Sequence, residues 1–292
     1  MFRRLLSGLA LVALASCGAP APKAVDADPA LWVVKDADTT IYLFGTVHAL
    51  KPGLSWFDEA VKDAFDKSDT LVLELVLPPD NELQTLIREL GVSREARLSD
   101  QLSDAERVRL QEALRRAGMP ADALEGLEPW LAAVQLANLP ARAAGYATED
   151  GAEAVLTRAA KAAGKPVLGL ETAREQFGYF DRLSLPAQRG LMMTTIDGLP
   201  KAAETLESVV ASWGAGDADA IAALLNADLK DSPEMAEALL VTRNRHWVDW
   251  IAARMAQPGT VFVAVGAGHL AGDRSVQVEL ARRGFSATRI SY

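Results

Sequence analysis

Residues 40–48 read Thr-Ile-Tyr-Leu-Phe-Gly-Thr-Val-His. Five residues of strand-forming character run into Gly45, and His48 follows three positions after that glycine. A glycine at the exit of a strand lets the backbone turn sharply, so the residues that follow it are displayed at the edge of the sheet. The stretch therefore predicts a strand that delivers a histidine to a sheet edge.

The same pattern recurs near the other end of the chain. Residues 260–269 read Thr-Val-Phe-Val-Ala-Val-Gly-Ala-Gly-His, again a strand followed by Gly-x-x-His. The chain has three histidines in all, and two of them, His48 and His269, stand in this one context. Neutral imidazoles are common metal ligands and also serve as general bases. The pairing predicts that the two histidines share one site.

The first residues have the layout of a secretory signal. Arg3 and Arg4 precede an apolar run over residues 5–15, which is too short to span a bilayer. The run ends in Leu-Ala-Ser-Cys17, which resembles the bacterial lipobox; the alternative is an ordinary signal peptide. We expect a signal peptide over residues 1–17 with lipidation at Cys17, and a flexible tether over residues 18–29. Gly18 after the cysteine favours an outer-membrane lipoprotein that faces the periplasm.

The amino-acid composition excludes several kinds of site and of binding partner. Cys17 is the only cysteine, so a disulfide, a thiol nucleophile and a cysteine-bound zinc are excluded from the mature domain. The net charge of −9 argues against nucleic acid and against an anionic membrane surface as partners. Contact with the membrane is therefore expected through the lipid anchor only, and any metal must be held by His, Asp, Glu or backbone oxygen.

Residues 30–292 alternate between strand and helix patterns. A hairpin is expected over residues 31–44, a helix capped by Ser55 that runs to Lys67, and a strand over residues 70–76. Helical patterns fill residues 80–160, and further strands are expected at 167–171, 260–265 and 287–290. The order predicts an α/β fold with a mostly parallel central sheet, flanking helices and a large helical middle or cap region.

Two carboxylates fall on the predicted strands. Glu74 lies inside an apolar strand, where an unpaired carboxylate is costly, so we expect a metal, an arginine or a histidine beside it. Glu171 ends its strand at the edge where open parallel sheets bind ligands, either as a ligand or base or as a helix cap. Glu153 stands at a helix start, where acids are favoured in any case.

A long helix near the C-terminus places Asn244 in an otherwise apolar stripe, and Arg243 is next to it. A buried amide needs hydrogen-bond partners, and a guanidinium can grip a carboxylate or stabilise an oxyanion. The alternative is a solvent-facing arginine and an asparagine in a small polar pocket. Nothing in the pattern ties His246 to the site.

Five segments together resemble the TraB/GumN family, which includes the animal Tiki proteins. They are residues 42–48, 73–75, 165–172, 243–244 and 266–270, in order through nearly the whole mature chain. The resemblance implies a metal-dependent hydrolase fold related to erythromycin-esterase-like and haem-binding lipoproteins, and its Tiki members are described as Mn- or Co-dependent proteases. It places His48, Glu74, Arg243, Asn244 and His269 in the site. Where many members have Gly-hydrophobic-Asp, this chain has Gly-Ala-Glu153.

The sequence thus predicts an envelope lipoprotein with a metal-dependent hydrolase site that cleaves a peptide or a small molecule. The predicted metal ligands are His48, Glu74 and His269, for Mn, Co or Zn. Glu171, Arg243 and Asn244 are the predicted catalytic residues, with Arg243 and Asn244 as stabilisers of developing charge. The alternative is a non-enzymatic periplasmic protein that binds metal or haem with the same histidines.

Overall fold

The computed structural model describes residues 24–226, 229 and 232–292. The expected signal peptide, and Cys17 with it, lie outside these residues. Within the described part of the chain, no helix is both long enough and apolar enough to cross a membrane.

Strands and helices alternate along the described chain. The strands are β1 (Val25–Asp26), β2 (Leu31–Lys35), β3 (Thr39–Thr46), β4 (Leu54–Ser55), β5 (Thr70–Leu75), β6 (Val167–Glu171), β7 (Gly259–Gly266) and β8 (Thr288–Ile290). The α-helices are α1 (Glu59–Lys67), α2 (Asp80–Leu90), α3 (Asp104–Arg116), α4 (Pro129–Ala143), α5 (Ala152–Ala162), α6 (Ala173–Asp181), α7 (Leu185–Gly198), α8 (Ala202–Gly214), α9 (Ala218–Leu225), α10 (Pro233–Ala236), α11 (Thr242–Met255) and α12 (Val276–Arg282). A π-helical turn (Glu237–Val241) joins α10 to α11.

The six-stranded sheet has the order β6-β5-β7-β3-β2-β8. Strands β6, β5, β7 and β3 pair in parallel, and β2 forms the expected antiparallel hairpin with β3. Apolar side chains cover both faces: one face packs against α1 and α5, and the other against α11 and α12. The predicted α/β class with a mostly parallel sheet is confirmed.

The two glycine-ended strands are direct neighbours. Gly45 of β3 lies opposite Val265 of β7, and Thr46 lies opposite Gly266, so the two exits are offset by one residue. A Cβ atom on Gly45 would lie only 3.1 Å from the Cα atom of Ala267, so a glycine favours the close approach of these two segments. Strand β7 separates β3 from β5, so the local strand-helix-strand unit is parallel but its two strands do not touch.

Local details differ from the expectations. Helix α1 begins at Glu59 with Asp58 as its N-cap. Ser55 does not cap it, because its backbone pairs with β1 in a small two-stranded sheet. The same pairing orders the last residues of the expected tether: Val25 and Asp26 form β1, and Ala27 is buried.

The helical layer draws on two separate parts of the chain. Helices α3 and α4 come from the expected insertion, and α7 from the segment after β6; their apolar side chains form one core cluster. The cap over the sheet edge is therefore built by residues before and after β6. Periodicity within one segment could not reveal this, because it carries no information on which distant helix covers an apolar face.

Candidate functional site

A buried cluster of charged and polar side chains lies beyond the carboxyl ends of the parallel strands. Glu74 comes from β5, Glu171 from the end of β6, and His269 from the short 3-10 turn after β7. Arg243, Asn244 and Trp247 project from α11 onto them and are all buried. The structure thus brings five of the predicted site residues together: Glu74, Glu171, Arg243, Asn244 and His269.

Arg243 is the centre of this cluster. Its Nε and Nη2 atoms donate to the two oxygens of Glu171 at 2.8 and 3.0 Å, and Nη2 also donates to Glu74 Oε2 at 2.7 Å. Its Nη1 atom contacts His269 Nε2 at 3.1 Å and donates to the Leu239 carbonyl at 3.4 Å. A guanidinium has five N–H groups, so each of them has a protein partner here.

Both carboxylate oxygens of Glu171 accept hydrogen bonds from buried side chains. Besides Arg243, it accepts hydrogen bonds from Trp247 Nε1 at 2.9 Å and from Gln176 Nε2 at 3.3 Å. The residue is only 7 % exposed. Both of its oxygens are engaged, so in this arrangement the carboxylate fixes the guanidinium in place.

The hydrogen bonds of His269 settle its tautomer. Its Nδ1 atom lies 2.6 Å from Asn244 Oδ1, while Asn244 Nδ2 donates to the carbonyl of Arg274 at 2.7 Å. Since the amide nitrogen is already donating, Asn244 Oδ1 is the acceptor, and Nδ1 of His269 carries the proton. The Nε2 lone pair therefore faces Arg243. Burial, reinforced by the charge of Arg243, lowers the pKa of His269 to about 4.

Glu74 is ionised in the same cluster. Its Oε1 atom accepts the backbone N–H of Gly266 at 2.5 Å, and Oε2 accepts from Arg243. Burial alone would raise the pKa of this carboxyl. The nearby His269 and Arg243, together with His48 and the Gly266 bond, outweigh burial and lower the pKa to about 2. The expectation of a cationic partner for this strand carboxylate is met by Arg243.

His48 forms a second group with Glu153. Its Nδ1 atom lies 2.5 Å from Glu153 Oε1, and the Thr46 hydroxyl donates to the same oxygen at 2.6 Å. The His48 side chain is 72 % exposed, so its Nε2 edge is accessible. The hydrogen bond that His48 donates to Glu153, and then the charge of that carboxylate, raise the pKa of His48 to about 9.

The N-terminus of α5 positions this pair. The Ala152 N–H donates to the carbonyl of Val47 at 3.0 Å. A Cβ atom on Gly151 would lie 2.1 Å from the His48 carbonyl oxygen, so only glycine allows this approach. Glu153 then reaches His48 from the first turn of the helix. The sequence pattern assigns no definite role to Glu153 and does not indicate the contacts of Thr46, Gly151 and Trp247.

A cleft of about 740 Å³ joins the two groups. Thr46, His48, Glu74, Arg243 and His269 line one end of it. The remaining walls come mainly from the helical layer and carry mostly small or aliphatic side chains, with a few threonines and Asn226 among them. This volume is within the range of about 300–1,000 Å³ that is typical of ligand pockets. His246 does not line the cleft; its ring lies 3.3 Å from the hydroxyl of Tyr179.

The arrangement does not fit a bound metal ion as it stands. Among residues 24–226, 229 and 232–292, no three His, Cys, Asp or Glu side chains are placed to hold an ion. The Nε2 lone pair of His269 is directed at the Arg243 guanidinium, and that cation also contacts Glu74. A divalent ion would have to displace a buried positive charge from its own ligands.

Comparison with known proteins supports one assignment. Residues 30–289 match the model of the TraB/PrgY/gumN family. No curated protein and no solved structure matches the chain. The match covers nearly all of the chain and includes both strand-Gly-x-x-His segments, so this chain belongs to the TraB/PrgY/gumN family.

Proposed function

We propose that the protein is a hydrolase that cleaves a carbonyl ester or amide bond at the polar end of the cleft. The observation that carries the proposal is the pair formed by His48 and Glu153. The Nδ1 atom of His48 lies 2.5 Å from the Glu153 carboxylate, and the rest of the His48 ring is open to the cleft. A histidine oriented in this way is suited to general acid–base catalysis.

The proposed reaction uses His48 as its proton-transfer group. Neutral His48 takes a proton at Nε2 from a water molecule as the water oxygen attacks the carbonyl carbon. Glu153 stabilises the imidazolium that forms. The imidazolium then gives the proton to the leaving oxygen or nitrogen as its bond to the carbonyl carbon breaks, and an acid and an alcohol or amine are released.

The buried cluster lines the same cleft and supports this step in our proposal. Glu74 lines the cleft as a carboxylate, and we assign it the orientation of the attacking water. Arg243 contributes its positive charge and not a free N–H group, because its N–H groups already have partners. Glu171 fixes Arg243, and Asn244 fixes the ring of His269, so both are positioning residues in this proposal.

The divalent metal stays a prediction, and the proposed reaction does not require it. Metal analysis of the purified domain tests it directly, followed by assays with added Mn, Co or Zn. The envelope location also stays a proposal, and it rests on the Leu-Ala-Ser-Cys17 sequence. Cys17→Ala should release the protein from the membrane fraction or block its processing, and unchanged fractionation would contradict the lipoprotein assignment.

A screen of the purified domain tests the hydrolase proposal. The substrates are p-nitrophenyl esters, anilides and short peptides, each with and without added metal. The proposal is supported if one class of substrate is turned over, if chemical modification of His48 abolishes that turnover, and if bound substrate protects the enzyme from the modification. The absence of turnover across all classes would contradict it.

One observation favours the second candidate, a haem-binding protein. Histidines that ligate metals commonly donate their second ring N–H to a carboxylate, as His48 does to Glu153. Most of the cleft wall is also apolar. Titration with haem distinguishes the two functions: a saturable Soret band that His48→Gln abolishes supports the haem carrier, whereas an unchanged haem spectrum argues against it.

A further inference from the structure

The walls of the cleft contain information about the substrate that the polar end does not. Helices α4, α7 and α8 and the π-helical turn supply most of them. Among the described lining residues, those with charged or ionisable side chains all belong to the polar end: His48, Glu74, Arg243 and His269. The described walls therefore favour an uncharged ligand segment, since a charge there would lose its water without finding a partner among these residues.

The aliphatic wall residues come from several separate elements. Leu191 comes from α7, Leu206 and Val209 from α8, and Leu239 and Leu240 from the π-helical turn. Ala137 and Ala141 of α4 leave space between these larger side chains. The walls thus form an apolar trough that begins at the reacting groups.

An extended peptide is poorly matched to this trough. Each residue of a peptide carries one N–H and one C=O group that need partners when they leave water. Most of the wall backbone is helical, so most of its groups are satisfied within the helices, although Asn226 and Leu229 lie outside them. The hydroxyl of Thr195 donates to the Leu191 carbonyl at 2.9 Å, which leaves Thr194 and Thr205 as the other hydroxyl groups of the wall.

An alkyl chain has no such requirement, and each of its methylene groups gains from contact with the aliphatic walls. We propose that the substrate is an acyl ester or amide with an aliphatic chain, whose carbonyl lies at His48 and whose chain lies between α4, α7 and α8. This inference rests on the proposed hydrolase function, because that function places the carbonyl at the polar end.

The test separates chain binding from turnover. Methyl ketones from 2-butanone to 2-decanone carry the carbonyl and the chain but no leaving group, so they bind without being hydrolysed. Calorimetry on the whole domain should show tighter binding with each added methylene, by up to about fourfold. Affinity that does not depend on chain length, or tighter binding of acetyl-trialanine amide than of 2-decanone, would overturn the proposal.

Two variants place the chain in the trough. Ala137 and Thr194 are exposed positions on facing helices, and both line the cleft. Ala137→Trp and Thr194→Trp should each weaken 2-decanone binding at least about tenfold and leave 2-butanone binding nearly unchanged. Gln135→Trp is the matched control, because Gln135 is exposed on α4 outside the cleft. Circular dichroism checks that the variants fold.

The outcomes separate the two proposals. Wild-type protein that binds 2-decanone in the trough but hydrolyses no substrate supports the placement of an aliphatic chain there and contradicts the hydrolase. Protein that hydrolyses esters of all chain lengths equally retains the hydrolase and contradicts the chain proposal. Chain-length dependence that neither tryptophan variant changes would place the chain elsewhere and would also overturn the inference.

Discussion

Glu153 Oε1 lies 2.5 Å from His48 Nδ1, although 105 residues separate the two in sequence. Strand β3 brings His48 to the sheet edge, and the first turn of α5 brings Glu153 to the same point. The hydrogen bond directs the other ring nitrogen toward the cleft. The His48 side chain is 72 % exposed, but this hydrogen bond fixes the orientation of its ring.

Glu153→Gln should shift the pH dependence of the reaction. The glutamate raises the pKa of His48 to about 9, and the base form of His48 is the reactive one in our proposal. Wild-type kcat/KM should therefore rise with pH up to about 9. Glutamine keeps a hydrogen-bond acceptor but removes the charge, so the rising limb should move toward the ordinary histidine value of about 6.5. A pH–rate profile, with NMR titration of His48, makes the measurement; coincident profiles would contradict the role of Glu153.

Gly151→Ala should disturb the same pair through sterics alone. The new Cβ would lie 2.1 Å from the His48 carbonyl oxygen, so the His48 loop has to move. We expect a loss of about 1–3 kcal/mol of unfolding free energy and a lower His48 pKa. Gly190→Ala is the control, because nothing lies within 4 Å of its Cβ position in α7. Equal effects in urea unfolding would refute the proposed close packing.

Arg243→Ala should be among the most destabilising single changes in the chain. It leaves Glu74 and Glu171 as buried carboxylates without their shared cation. Removal of one partner of a buried ion pair typically costs about 3–5 kcal/mol. Arg245→Ala removes an exposed pair with Glu237, which is worth about 0–1 kcal/mol. Denaturant unfolding compares the two, and similar losses would show that the Arg243 cluster is not a structural centre.

His269 should make stability depend on pH. The pKa of His269 is about 4 in the folded state and about 6.5 in the unfolded chain. Between these two pH values, the unfolded chain therefore binds more protons at this residue than the folded protein does. Stability should therefore fall as the pH drops from 6.5 to 4.5, by roughly 2–3 kcal/mol from this group. His48 gives a smaller change of the opposite sign at the upper end of this window, because its unfolded form is only half protonated at pH 6.5 whereas its folded form, with a pKa of about 9, is fully protonated. Urea unfolding at the two pH values should show a smaller difference in His269→Gln; an equal difference would contradict the buried neutral histidine.

The sequence predicted which residues lie in the site better than it predicted which of them contact one another. Two strand-Gly-x-x-His patterns placed His48 and His269 at one sheet edge, and β3 and β7 are indeed paired. An apolar strand around Glu74 and an amide in the stripe of α11 correctly indicated buried polar partners. Each of these signals is local, because it depends on the periodicity of one element.

Contacts between residues on different elements could not be predicted from these local patterns. Arg243 and Glu171 are 72 residues apart, and the pattern of neither residue specifies the other as its partner. The same holds for Glu153, whose position at a helix start has an ordinary explanation through the helix dipole. The helical layer is also assembled from segments on both sides of β6, so the cleft and its apolar walls exist only in the folded chain.

The central claim is that His48 transfers the proton in a hydrolytic reaction, and the most direct measurement compares two histidine variants. His48→Gln removes the base from an exposed position, so the fold should persist, while His246→Gln changes a histidine that does not line the cleft. On the best substrate from the screen, His48→Gln should lower kcat/KM by about a hundredfold to ten-thousandfold, and His246→Gln should stay within about twofold of the wild type. Wild-type activity in folded His48→Gln would contradict the account.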